Sequence, residues 1–161
     1  MIEKNDENEG ILTNGKIMIK RNKMYLLAGL AGTIAVLGLT ILIYGTFFQN
    51  FLEKFNELPP DLIRLISREN ANLATVLLAN LAHGFLIATV IRWGKFYRPI
   101  RGARAGAVVA FLTEVYFLFT QYSMFKTMPL PSAILDTLIW TFINAIVGAL
   151  VAWILGREVA K

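Results

Sequence analysis

The sequence contains no cysteine and only one histidine, His83, among 161 residues. Without cysteine the chain forms no disulfide, iron–sulfur cluster or thiolate zinc site, and a single histidine excludes a self-contained multi-histidine metal site. Charge is scarce too: charged residues make up 17% of the chain, against about 25% in a typical soluble domain. We expect no metal, no cofactor and no enzymatic activity, since no set of residues typical of catalysis is present.

Apolar residues take the place of charge and make up 56% of the chain. Four apolar runs are long enough to cross a hydrocarbon core of roughly 30 Å as helices. They lie at about residues 24–48, 71–92, 105–125 and 133–156. The first run starts too late and is too long for the apolar part of a secretory signal, so we expect an uncleaved span. The predicted fold is an all-α membrane protein with one four-helix transmembrane domain over residues 24–157.

Two segments outside the predicted spans have their own patterns. Residues 1–23 are polar and end in a cluster of basic residues, which predicts a mobile cytoplasmic tail. Residues 49–70 mix apolar residues at helical spacing with charges around Pro59-Pro60. This mixture predicts two short helices lying in the membrane interface, and a soluble cap over the mouth of the bundle is the alternative.

Lysine and arginine are unequally divided between the two sides of such a bundle. If the N-terminus lies inside, twelve of the 16 basic residues fall on the inner side and four on the outer side. The short Arg92–Arg104 segment decides the orientation, because the positive-inside bias acts through short loops. We therefore predict four antiparallel helices in up-down order, with both termini cytoplasmic, in the inner (plasma) membrane of a bacterium.

The same basic segment supports a second hypothesis. It contains no acid, and its five basic residues are suited to contact anionic lipid headgroups: Arg92, Lys95, Arg98, Arg101 and Arg104. Topology alone explains the cluster as well, so both interpretations stay open. The net charge of +5 is accordingly interpreted as a topology signal and not as a nucleic-acid footprint.

Polar side chains inside the spans are the candidates for a functional site, because an acid at the centre of a spanning helix costs about 2.5–3.5 kcal/mol. Glu114 lies about 14 Å into span three at the rise of an α-helix. His83 in span two and Asn144 in span four lie at a similar depth. Asn80 lies three residues before His83 and so near the same face of span two. They predict either a proton or cation site or a buried polar cluster that fixes helix register, and we favour the structural role.

A second polar group is predicted nearer the outer surface. Asp136 lies in the first turn of span four, where a negative charge also complements the helix dipole. Gln121 follows Glu114 along span three at a spacing that lets it meet Asp136. The alternative for Asp136 is an interfacial residue with no part in transport.

Small residues recur at intervals of four and predict faces where helix backbones approach closely. They are Gly32 in span one, Gly102, Gly106 and Ala110 in span three, and Gly148 and Ala152 in span four. Glu114 continues the stripe of span three, so we expect its side chain to point into the bundle. One bundle need not use both stripes, which favours a partner helix from another protein.

Three sequence pieces carry a resemblance over roughly residues 70–157. They are Asn80 with the apolar run to Arg92-Trp93, Ala105-Gly106-Ala107 with Glu114 beyond it, and Leu135-Asp136 leading into Ala-Ile-Val-Gly-Ala at 145–149. In these pieces the sequence resembles a group of short four-span bacterial integral membrane proteins that have no established activity. The resemblance implies the fold and no function, and the group tends to have Asp where this chain has Glu114.

The predicted function is therefore a non-enzymatic accessory or scaffolding subunit of a larger membrane assembly. Its expected partners are membrane lipids and either other membrane subunits or further copies of the chain, and not nucleic acid. The alternative is a small proton or cation transporter or channel that uses Glu114. The two functions differ in whether Glu114 lines a water-filled cavity or is sealed by packed side chains.

Overall fold

The computed structural model describes residues 3–48, 72–125 and 129–159, and this part of the chain is helical apart from short connections. Helix α1 (Glu3–Leu42) continues directly into a π-helical segment, Ile43–Phe48. Three further helices follow: α2 (Leu73–Trp93), α3 (Pro99–Met124) and α4 (Leu130–Val159).

Within the described residues, four helical stretches are long and apolar enough to cross a membrane. They are Asn22–Thr46, Leu73–Trp93, Pro99–Met124 and Leu130–Arg157. The predictions of an all-helical chain and of four potential membrane spans are therefore confirmed, as expected for a multi-pass membrane protein. The predicted interfacial helices of residues 49–70 lie outside the described residues and stay a prediction.

The helices start at residues whose chemistry suits a helix N-terminus. The side chain of Asn72 accepts hydrogen bonds from the backbone N–H groups of Ala74 and Thr75, at 3.1 and 3.3 Å, and so caps α2. Pro99 opens α3 and Pro131 lies in the first turn of α4, where a residue without an N–H group leaves no intrahelical bond unmade.

Three helices, α1, α3 and α4, extend beyond the spans predicted from hydropathy. Helix α3 begins at Pro99, so Arg101 and Arg104 lie on its first turns and the connection from α2 is shorter than the basic segment suggested. Helix α1 begins at Glu3, within the segment assigned to a cytoplasmic tail. The mobility of that segment stays a prediction.

The small-residue stripes of α3 and α4 pack against each other. A Cβ atom placed on Gly106 would overlap the carbonyl oxygen of Asn144, and one placed on Gly148 would overlap the carbonyl oxygen of Gly102. A Cβ on Gly102 would also overlap the Cβ of Ala152. The absence of side chains lets the two backbones come together, and this pair makes the most extensive contact among the described helices.

Helix α1 approaches α2 through another glycine. A Cβ atom on Gly84 would lie 2.6 Å from the backbone nitrogen of Thr33 and 2.7 Å from the carbonyl oxygen of Gly29. The predicted packing residue Gly32 lies at the same contact, and it also faces Val151 of α4. Helix α1 is thus held against both α2 and α4 at one level.

Helix α4 occupies the centre of the bundle. In the most apolar 18-residue stretch of α4, 50% of the residues are buried, against 22–28% in the corresponding stretches of the other three helices. It supplies much of the core, in which fully buried side chains from three helices meet: Val36, Ile87, Ile91, Ile143, Val147 and Val151. The exposed leucine, isoleucine and phenylalanine side chains of α1, α2 and α3 then form the surface that suits lipid.

Candidate functional site

The polar residues predicted to form one mid-span cluster lie in two separate layers. In the first layer, Nε2 of His83 on α2 lies 2.6 Å from Oδ1 of Asn144 on α4. Asn144 is 0% exposed, and its Nδ2 donates a second hydrogen bond to the carbonyl oxygen of Trp140 at 3.0 Å. Because that bond fixes the orientation of the amide, Oδ1 is the acceptor and Nε2 of His83 is the donor.

This layer is a closed contact near the middle of both helices. The ring of His83 also lies against that of Trp140, with centroids 5.3 Å apart and the planes tilted by 48°. Both polar groups of Asn144 therefore have partners. A buried pair of this kind joins α2 to α4 and fixes the register between them.

Asn80 and Gln121 lie apart from this pair. The side chain of Asn80 donates to the carbonyl oxygen of Val76 in its own helix, at 2.8 Å, and so turns back along α2. Gln121 is half-buried near the end of α3 and does not line the cleft that contains Glu114, which forms the second layer. Among the described residues, neither amide joins Glu114.

The second layer is an open cleft of about 310 Å³ between α1, α3 and α4. Glu114 on α3 and Asp136 on α4 both line it, and each is half-buried. The remaining lining residues are Thr40, Tyr44, Phe117, Leu118 and Trp140. Glu114 thus lies at a cleft together with the acid that the sequence assigned to a separate outer group.

The hydroxyl groups of α1 complete the polar side of the cleft. The hydroxyl of Tyr44 donates a hydrogen bond to Oδ1 of Asp136. The hydroxyl of Thr40 is buried and has no hydrogen-bond partner among the described residues. Tyr44 lies in the π-helical segment, whose wider turn is a feature often found where a helix presents a functional side chain.

Sequence reasoning missed Thr40 and Tyr44, although a signal was present. Val36, Thr40 and Tyr44 follow one another at intervals of four, so they share one face of α1. Val36 is fully buried, which identifies that face as the one turned toward the bundle. Two hydroxyl groups on the buried face of an otherwise apolar span marked the α1 side of the cleft.

The electrostatics of the cleft follow from its two carboxyl groups. Glu114 and Asp136 share one small space, and no basic side chain is present among the described residues that line it. Two carboxylates in a poorly solvated space repel each other strongly when both are ionised. A proton or a cation between them removes that repulsion, so the cleft has the chemistry to bind either one.

Sites for divalent and more highly charged metal ions need more protein ligands than this cleft supplies. Over the described ranges, no group of three or more His, Asp or Glu side chains is placed to hold a metal ion. The oxygen atoms of two carboxyl groups and two hydroxyl groups suit a proton or a small cation held with water.

The five predicted lipid-contact residues are divided among different surroundings. Arg92 lies in the last turn of α2, donates to Oδ1 of Asn22 at 3.4 Å, and has its guanidinium carbon 5.0 Å from the ring centroid of Tyr25. Lys95 and Arg98 lie in the exposed connection between α2 and α3. Arg101 and Arg104 lie on the first turns of α3, beside α2.

Comparisons with protein-family models, with curated proteins and with solved structures give no match to this chain. The described residues form four helices suited to a multi-pass membrane protein, with a hydrogen-bonded polar pair and an acidic cleft. A function for this class has to be argued from the cleft.

Proposed function

We propose that this protein binds protons or small cations at Glu114 and Asp136 and carries them across the membrane. One observation supports the proposal above the others: the two acids line an open cleft and are not enclosed by packed side chains. That arrangement favours the transport alternative over the accessory role first expected. We propose no enzymatic activity for the protein.

The cost of placing acids in a membrane span supports a functional role for both. One acid near a helix centre costs a few kcal/mol, and a structural hydrogen bond can be made at lower cost by an amide, as Asn144 shows in the closed layer. Two acids that line one cleft repel each other in addition. Their joint placement is favourable when a proton or cation is the ligand.

The shape of the bundle suits a transporter that changes conformation. The cleft lies toward the end of the bundle where α3 passes into α4. Trp140 lines it and also contacts His83, so the closed polar pair lies directly beyond it. Past this level the backbones of α3 and α4 touch through their glycines. A cleft that lies beside such a packed helix pair fits alternating access better than a continuous pore.

The proposed topology follows the earlier prediction of four antiparallel helices with both termini cytoplasmic in a bacterial inner membrane. Support comes from the order of contacts along α3 and α4: Gly102 meets Gly148, Gly106 meets Asn144, and Glu114 shares the cleft with Asp136. Rising numbers on one helix thus face falling numbers on the other. The cleft would then lie in the outer half of the bundle.

Flux through liposomes tests the proposal. The purified protein is reconstituted, and proton, sodium and potassium fluxes are measured for the wild type, Glu114→Gln and Asp136→Asn. Each variant should lose at least tenfold in flux with its melting temperature unchanged, because the amide keeps the shape and removes the exchangeable charge. Asn80→Leu is the control, since among the described residues that side chain bonds only within its own helix. Flux no higher than in empty liposomes, or full flux in Glu114→Gln, would contradict the proposal.

An accessory role remains the second candidate, and one observation favours it. Residues 73–79 of α2 are all exposed over about two turns, so every face of this part of the helix is free of the other described helices. A partner subunit or a second copy of the chain would cover it. Leu77→Cys, in a chain without native cysteine, should then form a disulfide-linked dimer or crosslink to a copurifying subunit. A monomer in mild detergent with no copurifying protein would contradict this role.

A further inference from the structure

A second cavity lies at the other end of the bundle, between the end of α2 and the start of α3. It measures about 360 Å³, and apart from two arginines its lining is apolar. The lining residues are Val90, Phe96, Arg101, Arg104, Ala105, Val108 and Val109. We call this cavity the α2–α3 groove.

Local structure explains why the α2–α3 groove exists. The chain reverses at Lys95, which adopts a left-handed backbone with φ 53°, and the N–H of Phe96 then bonds to the carbonyl oxygen of Ile91 at 3.0 Å. This turn places the Phe96 ring at the end of the groove. Helix α3 packs on α4 and makes little contact with α2, and Ala105 is too small to fill the space between them.

The chemistry of the groove is that of a receptor for an amphipathic anion. Arg101 and Arg104 are three residues apart, so they lie on the same face of α3, and both line the groove. A guanidinium group presents a planar set of donors that fits phosphate oxygens. No acidic side chain is among the described residues that line the groove, so neither arginine is neutralised there.

We propose that the α2–α3 groove binds an anionic phospholipid, with one acyl chain along the apolar walls and the phosphate held by Arg101 and Arg104. Two arginines in an otherwise apolar lining point to a lipid and not to a free anion. Basic pockets between membrane helices are known to bind such headgroups. The site is narrower than the five-residue contact predicted from the sequence, because Arg92 is engaged by Tyr25 and Asn22.

Thermal denaturation in mild detergent tests the headgroup contact. Phosphatidylglycerol should raise the melting temperature of the wild type more than phosphatidylcholine with the same acyl chains. In Arg101→Gln/Arg104→Gln, the half-maximal phosphatidylglycerol concentration should rise at least tenfold. Lys95→Gln/Arg98→Gln is the matched control: it removes the same charge from the neighbouring connection, outside the groove, and should behave as the wild type. Equal stabilisation by the two lipids, or equal losses in the two double variants, would overturn the proposal.

A groove-filling variant tests the acyl-chain contact. Val108 is 57% exposed and lines the groove, so Val108→Trp should fill it without disturbing the core and should abolish the preference for phosphatidylglycerol. Leu112, 61% exposed and one turn further along α3, lies outside the lining, and Leu112→Trp should keep the preference. Retained binding in Val108→Trp would overturn the proposal, as would full stabilisation by inorganic phosphate alone. These outcomes do not depend on proton or cation flux.

Discussion

The polar residues within the spans form two different groups: a hydrogen-bonded pair, and a cleft in which one buried hydroxyl has no partner among the described residues. His83 and Asn144 bond to each other, and Asn144, which is fully buried, also bonds to the backbone carbonyl of Trp140. Thr40, in contrast, has a buried hydroxyl with no partner among the described residues. The first arrangement is typical of structural contacts between membrane helices, and the second leaves a group available for a ligand.

The His83–Asn144 bond should contribute measurable coupling to stability. His83→Phe, Asn144→Leu and the double variant form a thermodynamic cycle, and unfolding in mixed micelles gives each free energy of unfolding. We expect a coupling energy of about 0.5–2 kcal/mol, the range found for hydrogen bonds between membrane helices. Asn80→Leu should change stability little. Strictly additive effects of the two substitutions would show that the bond contributes nothing.

The variant Thr40→Val tests whether the hydroxyl group of Thr40 binds a ligand or stabilises the fold. Since the hydroxyl makes no hydrogen bond to the described residues, valine removes a desolvated polar group without breaking a contact, and the melting temperature should stay the same or rise. Flux in liposomes should fall several-fold if the hydroxyl oxygen is a cation ligand. A clear loss of stability would reveal a hydrogen bond that is important for folding.

At the scale of elements, α3 and α4 form a pair whose backbones touch through glycine. The sequence analysis expected the two small-residue stripes to leave a surface for a partner helix. The structure packs the stripes against each other, because Gly102 and Gly106 face Gly148 and its neighbours. The stripes therefore give no reason to expect another subunit.

Replacing a glycine in the small-residue stripe of α3 should disrupt the packing of α3 against α4. Gly106→Leu forces the α3 and α4 backbones apart, and even Gly106→Ala places a methyl group against the carbonyl oxygen of Asn144. We expect Gly106→Ala to cost roughly 1–3 kcal/mol, the usual cost of overpacking, and Gly106→Leu to prevent stable folding. Circular dichroism during heating in detergent measures both.

Two exposed positions provide controls for that prediction. Nothing lies within 4 Å of a Cβ placed on Gly38, so Gly38→Ala should be neutral or slightly stabilising. Phe119 is exposed on α3, and Phe119→Leu should be nearly silent. Effects at these positions as large as that of Gly106→Ala would show that the packing faces are wrongly assigned.

At the scale of the whole molecule, the orientation of the bundle can be measured directly because the chain has no native cysteine. Single cysteines at Lys4, Arg98 and Lys161 should be protected from a membrane-impermeant thiol reagent in intact cells. Cysteines at Glu57 and Thr127 should react. Lysed cells serve as the control, since every accessible position should react there. Labelling of position 98 in intact cells would reverse the proposed topology.

The sequence alone determined the helical architecture of this protein. The low charge and the four long apolar runs predict four spanning helices, because a chain in a bilayer must satisfy its backbone polar groups within each segment. That requirement acts locally, so hydropathy along the chain is sufficient to find the helices. The confirmed helices differ from the predicted spans mainly at their ends, as at Pro99 and Leu130, where helix continues beyond the apolar run.

Only the tertiary structure decided which polar groups meet. Depth along a span placed Glu114 level with His83 and Asn144, but depth says nothing about the direction in which each side chain points around the bundle. The rotation and spacing of the helices set that direction: glycine contacts bring α3 onto α4, and Tyr44 on α1 reaches Asp136. Glu114 is therefore placed at the cleft with Asp136, while His83 and Asn144 pair in the core, because contacts between helices depend on packing that no single helix encodes.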